Sequence, residues 1–405
     1  MPKLLWVSPC ALHDTSSGAA LQCRIMLQKL RARGVQVMAL GAMIFDNTGG
    51  QALLAEARKK FAEGREFVRV EEKGVTYFYL NAADTSEPNH TSAEQRKFLL
   101  FYQKLLYEYR PDVLMGYGGD TPLSLCIRAD ARRRGIPCVY PVLNGNHKNF
   151  SFPDCDLVIT DSRATAAHYL QLYGINAVPI GEWVLPEMVV AEKREPRYVT
   201  LINPHPSKGA SLLARLALMA QKELPDVRFL ALQSRGDFAA SLTQMHAPDS
   251  EEKPLSMDMF PNVDRARHMT DMKPIYAATR VLLAPSLWYE SWGRVATEAV
   301  LNGIPVLASR SGGLPEAVGE GGICLDAPEA CRKDHLRIPT EEEMRPWMDA
   351  LKRLLHEDWT AACARAAAAH DVERYADGLL EELQPLLSRR AGSRPQYFRS
   401  GMAVK

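Results

Sequence analysis

The heaviest constraint lies between residues 281 and 316, which read VLLAPSLWYESWGRVATEAVLNGIPVLASRSGGLPE. Residues 281–284 form an apolar run with the length of a buried strand, and a polar, aromatic loop follows at 285–292. Val295, Ala296, Ala299, Val300 and Leu301 then give one apolar side of a helix, which Asn302-Gly303 stops. Residues 305–308 read as a second strand, and Ser311-Gly312-Gly313 as a second tight turn. Two β–loop–α steps with glycines at the strand exits describe the carboxyl edge of a doubly wound sheet, where such sheets bind ligands.

Two acids punctuate this stretch, Glu290 before the helix and Glu298 inside it, with seven residues between them. If the helix starts at Gly293, Glu298 stands roughly 7–8 Å along the axis from that end. The amides of Gly293, Arg294 and Val295 fall between the acids and suit an anion. One acid, an anion cradle and a second acid in line fit an extended ligand with the layout of a nucleotide sugar: hexose hydroxyls, diphosphate, ribose diol. On these residues the segment resembles the E-x7-E region of family 4 of the retaining glycosyltransferases (glycosyl transferases group 1), enzymes of the GT-B fold. The resemblance implies that Glu290 contacts the donor sugar. It gives the diphosphate and sugar to the backbone of Ser291, Trp292, Gly293, Arg294 and Val295, and the ribose hydroxyls to Glu298. Without the flanking P-S-L-W and G-I-P-V-x-A-S-x-x-G-G segments, Glu290 would read as a helix N-terminal acid and Glu298 as a solvated face residue.

At 405 residues the chain is long for one core, so two domains are expected. Apolar content of 46% and charged content of 24% are those of a globular protein, and a net charge of +1 gives no reason to expect nucleic acid or an acidic membrane as partner. The basic clusters at 132–134 and 389–394 read as solvated faces. Lys3-Leu4-Leu5-Trp6-Val7 is too short for a secretory signal core, and no apolar run approaches the ~20 residues of a membrane span. The eight cysteines show no C-x-x-C pairing and read as buried free thiols of a reducing cytoplasm. The expected location is therefore cytoplasmic, with peripheral attachment at the inner membrane face left open.

Taken in order, residues 4–8 read as a strand, 9–17 as a loop, 21–30 as a helical stripe and 35–40 as a strand. No G-x-G-x-x-G follows the first strand, which argues against an ordinary dinucleotide site. In the family this loop carries a Gly-Gly-small sequence near the donor phosphate; Ser16-Ser17-Gly18-Ala19 stands here, making Gly18 the donor-side candidate. Asp14 reads as acceptor-facing or as the residue of a local Asx turn. Residues 51–70 read as helical, 75–80 as a strand, 98–109 as an aromatic-rich helix, and 113–142 as strand, glycine loop, helix and strand. The family places a sugar-contacting His shortly after that last strand. Asn144 occupies the expected position and His147 lies three residues later, so either is a candidate.

Residues 182–197 turn to proline and charge and read as a linker. A new strand at 198–202 leads through Asn203-Pro204-His205-Pro206-Ser207-Lys208-Gly209 into a helix. A lysine where a helix N-terminus already supplies positive potential makes sense if an anion binds there. The family carries a Lys at this spot, matched by Lys208, and often an Arg five residues earlier, where this chain has Asn203. That substitution leaves the amide of Asn203 and the His205 side chain as weaker donors. Ser234 and Gly236 fall in a turn that lies near the nucleotide in the family, and Met272 in a segment whose backbone usually reads the base. Residues 247–267 read as a polar excursion.

The resemblance implies a GT-B architecture: α/β, two Rossmann-like domains facing each other across a cleft. The expected division is an acceptor-side domain at 1–190, a nucleotide-sugar domain at 191–374, a helix returning to the first domain at 375–390 and a tail at 391–405. The function it implies is retaining transfer of a sugar from a nucleotide-diphosphate sugar to a hydroxyl acceptor, with Glu290, Lys208 and His147 as catalytic candidates. No cofactor and no essential metal are expected; Asp154-Cys155-Asp156 precedes a strand instead of ending one. UDP and GDP donors are not distinguished, and a glycan, lipid-linked sugar, protein or metabolite all remain open as acceptor. Two other readings stand beside it. One is a phosphorylase or epimerase on the same fold, for which no further lysine motif speaks. The other is a GT-B module that binds nucleotide, glycan or partner without turnover, which the missing Arg and displaced His keep open.

Overall fold

A computed structural model describes residues 1–119, 121–147, 155–246 and 255–388. The expectations for Asp154, the basic cluster at 389–394, the tail at 391–405 and residues 247–254 of the 247–267 excursion fall outside these residues. The chain forms two compact units, Val184–Asp371 and a first unit that joins Met1–Trp183 to the segment from Val372 onward.

The first unit is built on strands β1 (Lys3–Val7), β2 (Gln36–Ala42), β3 (Phe67–Glu72), β4 (Val75–Leu80), β5 (Val113–Met115), β6 (Cys138–Pro141), β7 (Leu157–Thr160) and β8 (Ala177–Pro179). They lie side by side as β3-β4-β2-β1-β5-β6-β7-β8, all parallel except the β3–β4 pair. Parallel strands are covered on both faces, and β1 shows it: Leu4, Leu5 and Trp6 are fully buried although consecutive side chains point to opposite faces. One face packs on helices Ser92–Tyr109 and Pro122–Arg133 through Phe98, Tyr102, Leu105, Leu123 and Ile127. Helix Gly18–Ala32 packs on the final helix, Val372–Leu387, with Lys29 and Arg33 paired to Glu373 and Arg33 to Asp377. Residues 67–70, read from sequence as the end of a helix, are the start of β3. The Lys73-Gly74 turn explains the error: both residues have positive φ, 46° and 78°, as a tight hairpin turn demands, and it folds β3 antiparallel onto β4.

The second unit carries β9 (Tyr198–Ile202), β10 (Arg228–Leu232), β11 (Val263–Ala266), β12 (Thr279–Ala284), β13 (Val306–Ser309) and β14 (Gly322–Leu325), in the order β11-β10-β9-β12-β13-β14, all parallel. Strand β11 lies inside the segment read as an excursion. Helix Ala210–Glu223 and helix Arg345–His356 cover one face with Leu212, Leu216, Trp347 and Leu351. Helix Arg294–Leu301 covers the other with Ala296, Ala299 and Val300. The strand order reverses between β9 and β12, so the loops that leave these two strands open a crevice at the carboxyl edge. None of the eight cysteines is in a disulfide; against the expectation that all are buried, Cys126 is exposed and Cys10, Cys155 and Cys324 are half-buried. Among the described residues no helix is long and apolar enough to cross a membrane.

Candidate functional site

The crevice of the second unit is walled by loops 203–209 after β9, 285–293 after β12 and 310–313 after β13, with 233–237 after β10 alongside. These loops are bolted to one another. The amides of Leu287 and Trp288 both donate to the Ser207 carbonyl, at 2.9 and 3.3 Å. The Ser309 hydroxyl donates to the Ser286 carbonyl and the Ser311 hydroxyl to the Trp288 carbonyl, at 2.7 and 2.5 Å. The amide of Gly313 donates to the Glu290 carbonyl at 2.8 Å. Gly312 has φ of 52°, and a Cβ there would stand 1.9 Å from that same carbonyl oxygen, so only glycine fits.

Lys208 and Glu290 meet at the centre. Lys208 Nζ donates to Glu290 Oε1 at 2.5 Å and lies 4.7 Å from the centre of the Trp288 ring. Ser286 donates its hydroxyl to the same carboxylate oxygen. The two side chains are 26% and 13% exposed, so the pair is reachable yet shielded enough for its charges to count. Both reach the crevice because each leaves a strand end at the point where strand order reverses.

The second acid is held differently. Glu298 is 6% exposed; Oε1 accepts from Arg294 Nε at 2.8 Å and Oε2 from the Tyr276 hydroxyl at 2.5 Å. Burial and the Glu298 charge push the Tyr276 phenol well above its ordinary value, so it stays a donor. The carboxylate is thereby locked in one orientation. Gly293 caps the helix that carries Glu298, with φ of 119°; a Cβ there would stand 2.3 Å from Leu314. The amides of Gly293, Arg294 and Val295 open that helix toward the crevice edge.

The remaining sequence candidates divide. Asn203 sits in the left-handed region, φ 61°, which asparagine tolerates better than most residues. Its amide is spent on the Leu232 carbonyl, 2.9 Å, and its Oδ1 accepts from the Gly236 amide, 2.8 Å. Asn203 and Gly236 thus tie two loops together, and what Asn203 can still offer a ligand is Nδ2. The Ser234 amide donates to the Gly236 carbonyl at 3.1 Å. The Trp292 side chain faces inward, donating Nε1–H to Thr297 at 2.8 Å and meeting His370 edge-on, so residue 292 can serve a ligand only through its backbone. Met272 caps a short helix, Lys273–Ala278, and is packed on the core beside Tyr276. Gly18 and His147 belong to the first unit. Gly18 is the first residue of its helix, and His147 lines a cavity there together with Asn144.

Sequence reading missed Ser286, Trp288, Ser311 and Tyr276, and a basic patch as well. Burial comes first, then the charges of His335, Lys208 and Arg235, in holding the His205 imidazole below its ordinary value. The flanking residues of Glu290 could have suggested Ser286 and Trp288. His335 carries no motif.

Two units, each with a mostly parallel sheet, and a crevice at the strand-order switch of the second define the GT-B class of fold, which the solved structures bear out. Sucrose-phosphate synthase from Thermosynechococcus elongatus superposes with a TM-score of 0.66 at 17% identity, covering 96% of this chain and 100% of that one. Anabaena Alr3699/HepE, solved in complex with UDP-glucose, gives 0.61 at 18% identity, covering 95% and 100%. In the second unit, residues 202–356 match the model of Glycosyl transferases group 1. The chain is 31% identical over 121 residues to a D-inositol 3-phosphate glycosyltransferase of Corynebacterium kroppenstedtii, a match covering 29% of this chain and 27% of that protein. The chain therefore has a GT-B fold, and its second unit is similar to Glycosyl transferases group 1.

Proposed function

We propose that the protein is a retaining glycosyltransferase that moves a sugar from a nucleotide-diphosphate sugar to a hydroxyl acceptor without an essential metal ion. The observation that carries this is the Lys208–Glu290 pair, braced by Ser286 and Trp288 at the strand-order switch of a unit that matches a glycosyltransferase family. The bond between the anomeric carbon and the diphosphate oxygen breaks, the acceptor oxygen bonds to that carbon on the face just vacated, and the acceptor proton is released. Negative charge grows on the departing diphosphate, where Lys208 and the helix start at Gly293 stabilise it. Glu290 orients the hexose, Glu298 holds the ribose, and His147 is assigned to the sugar. The GT-B neighbour solved with UDP-glucose and the glycosyltransferase relatives support a nucleotide sugar as ligand. Eight cysteines outside any disulfide support a reducing, cytoplasmic setting.

The test is thermal stability against UDP-, GDP-, ADP- and TDP-sugars and their free diphosphates. A ligand at a hundred times its dissociation constant stabilises by about 2.7 kcal/mol, and the nucleotide that does so names the donor. Lys208→Ala is expected to weaken that shift and, like Glu290→Ala, to lower donor turnover by ~100-fold or more. Full turnover in either variant overturns these roles. No shift with any nucleotide shifts the weight to binding without turnover, the reading that Asn203 in the arginine position favours.

A further inference from the structure

Trp292 stands between Glu290 and the helix start at Gly293, yet its side chain turns away from the crevice. It is buried, with its indole N–H on the Thr297 hydroxyl and its ring against His370, centroids 5.6 Å apart and planes at 78°. His370 comes from far along the chain, after helix Thr360–Ala369, and is itself buried, 8% exposed. Its Nε2 lies 3.2 Å from the Ala317 carbonyl. A carbonyl only accepts, so Nε2 carries the proton and Nδ1 does not. Nδ1 is buried and has no hydrogen-bond partner among the described residues. Burial holds the imidazole below its ordinary value, so the ring is neutral at pH 7. A phenyl ring would spare the cost of that bare nitrogen. What an imidazole adds at this position is the N–H on Ala317.

The places of these two contacts give the residue its role. Ala317 belongs to helix Leu314–Val318, which follows directly on the turn whose Gly313 amide holds the Glu290 carbonyl. Gly293 packs on Leu314, the first residue of that helix. His370 grips both sides of this packing, touching Trp292 beside Gly293 and Ala317 in the next turn after Leu314. The proposed function gives the backbone of residues 291–295 to the diphosphate and sugar. That backbone is fastened at its entry by Gly313 and in its middle, through Trp292, by His370.

We propose that His370 is a positioning residue for the donor: through Trp292 it sets the backbone of residues 291–295 and ties it to the helix that follows the Gly312-Gly313 turn. The donor role rests on the glycosyltransferase reading above; the brace does not. Three variants separate the two contacts. His370→Phe keeps the ring edge on Trp292 and loses the N–H, His370→Gln keeps an N–H and loses the ring, and His370→Ala loses both. Each full chain is titrated calorimetrically with UDP, GDP, ADP and TDP well below its melting temperature, where a residue that only adds stability leaves affinity unchanged. His370→Ala is expected to weaken the nucleotide that binds the wild type by about tenfold, the scale of one lost hydrogen bond, with the other two variants in between. Hydrogen exchange in His370→Ala is expected to quicken at residues 288–296 and 311–318 while helix Arg345–His356 keeps its rates. Wild-type affinity in His370→Ala, or exchange that quickens uniformly or not at all, overturns the proposal. If that variant does not fold, the other two decide, and wild-type affinity in both overturns it equally. A wild type that binds none of the four nucleotides removes the donor role, and the exchange pattern alone then keeps or removes the brace.

Discussion

Lys208 is neutralised by Glu290, so on the proposed function diphosphate binding is an exchange of counter-ions more than the filling of a positive pocket. His205 sharpens that exchange. Its Nδ1 is engaged with Ser207, 2.8 Å from the hydroxyl, and burial with its positive neighbours holds the ring neutral below the ordinary 6.5. A diphosphate placed among His205, Lys208 and Arg235 cancels that positive field and raises the imidazole pKa, so binding takes up a proton and tightens as pH falls. Nucleotide-sugar affinity, read from dissociation constants across the range below pH 7, is expected to rise on acidification in the wild type and to lose that slope in His205→Gln. A pH-independent affinity in the wild type counts against an anion at this patch. At this scale the sequence was legible where charge was incongruous, as at Lys208 beside a helix start. It was silent where partners meet only through folding, as Tyr276 does at Glu298.

Loops, not side chains, give the crevice its shape. Residues 285–293 hang on Ser207 at one end and hold the 310–313 turn at the other, so a disturbance in one loop reaches all three. Gly312→Ala adds a methyl group where a carbonyl oxygen stands 1.9 Å away and forces a left-handed alanine. The expected cost is about 1–3 kcal/mol of stability, with donor binding lost through displacement of Glu290. A variant with unchanged melting temperature and nucleotide shift contradicts the bracing. Most strands and helices of the second unit were readable because apolar runs and glycine exits repeat. Strand β11 was not, because Val263–Ala266 includes only two apolar residues and pairs as an edge beside β10. Strand β3 was hidden likewise: its charged, half-exposed face mimics a solvated helix until the Lys73-Gly74 turn is recognised.

At the scale of the whole molecule, the first unit is assembled from both ends of the described chain. Leu379 and Leu383 are fully buried, and Tyr375 packs over Gly181, so the last helix completes a unit whose other residues end at Trp183. Each such leucine contributes ~1.5–3 kcal/mol against a typical total of 5–15. Truncation after Asp371 is therefore expected to raise hydrogen exchange and proteolysis within residues 1–183 first, while residues 184–371 keep their protection. Uniform loosening, or none, refutes that division. The two units also differed in how far sequence could be read, because residues 202–356 of the second carry a layout that matches a family model. One detail bears on how such chains change over time. The backbone of Glu290 holds the 310–313 turn while only its side chain serves Lys208, so the acid can be lost without dismantling the loops. On the proposed function, a lineage that abandons turnover would keep Gly312 long after Glu290 has drifted. When genes of this kind are compared, Gly312 is expected to mark the shared loop frame, and, on the proposed function, the acid and lysine together mark working chemistry.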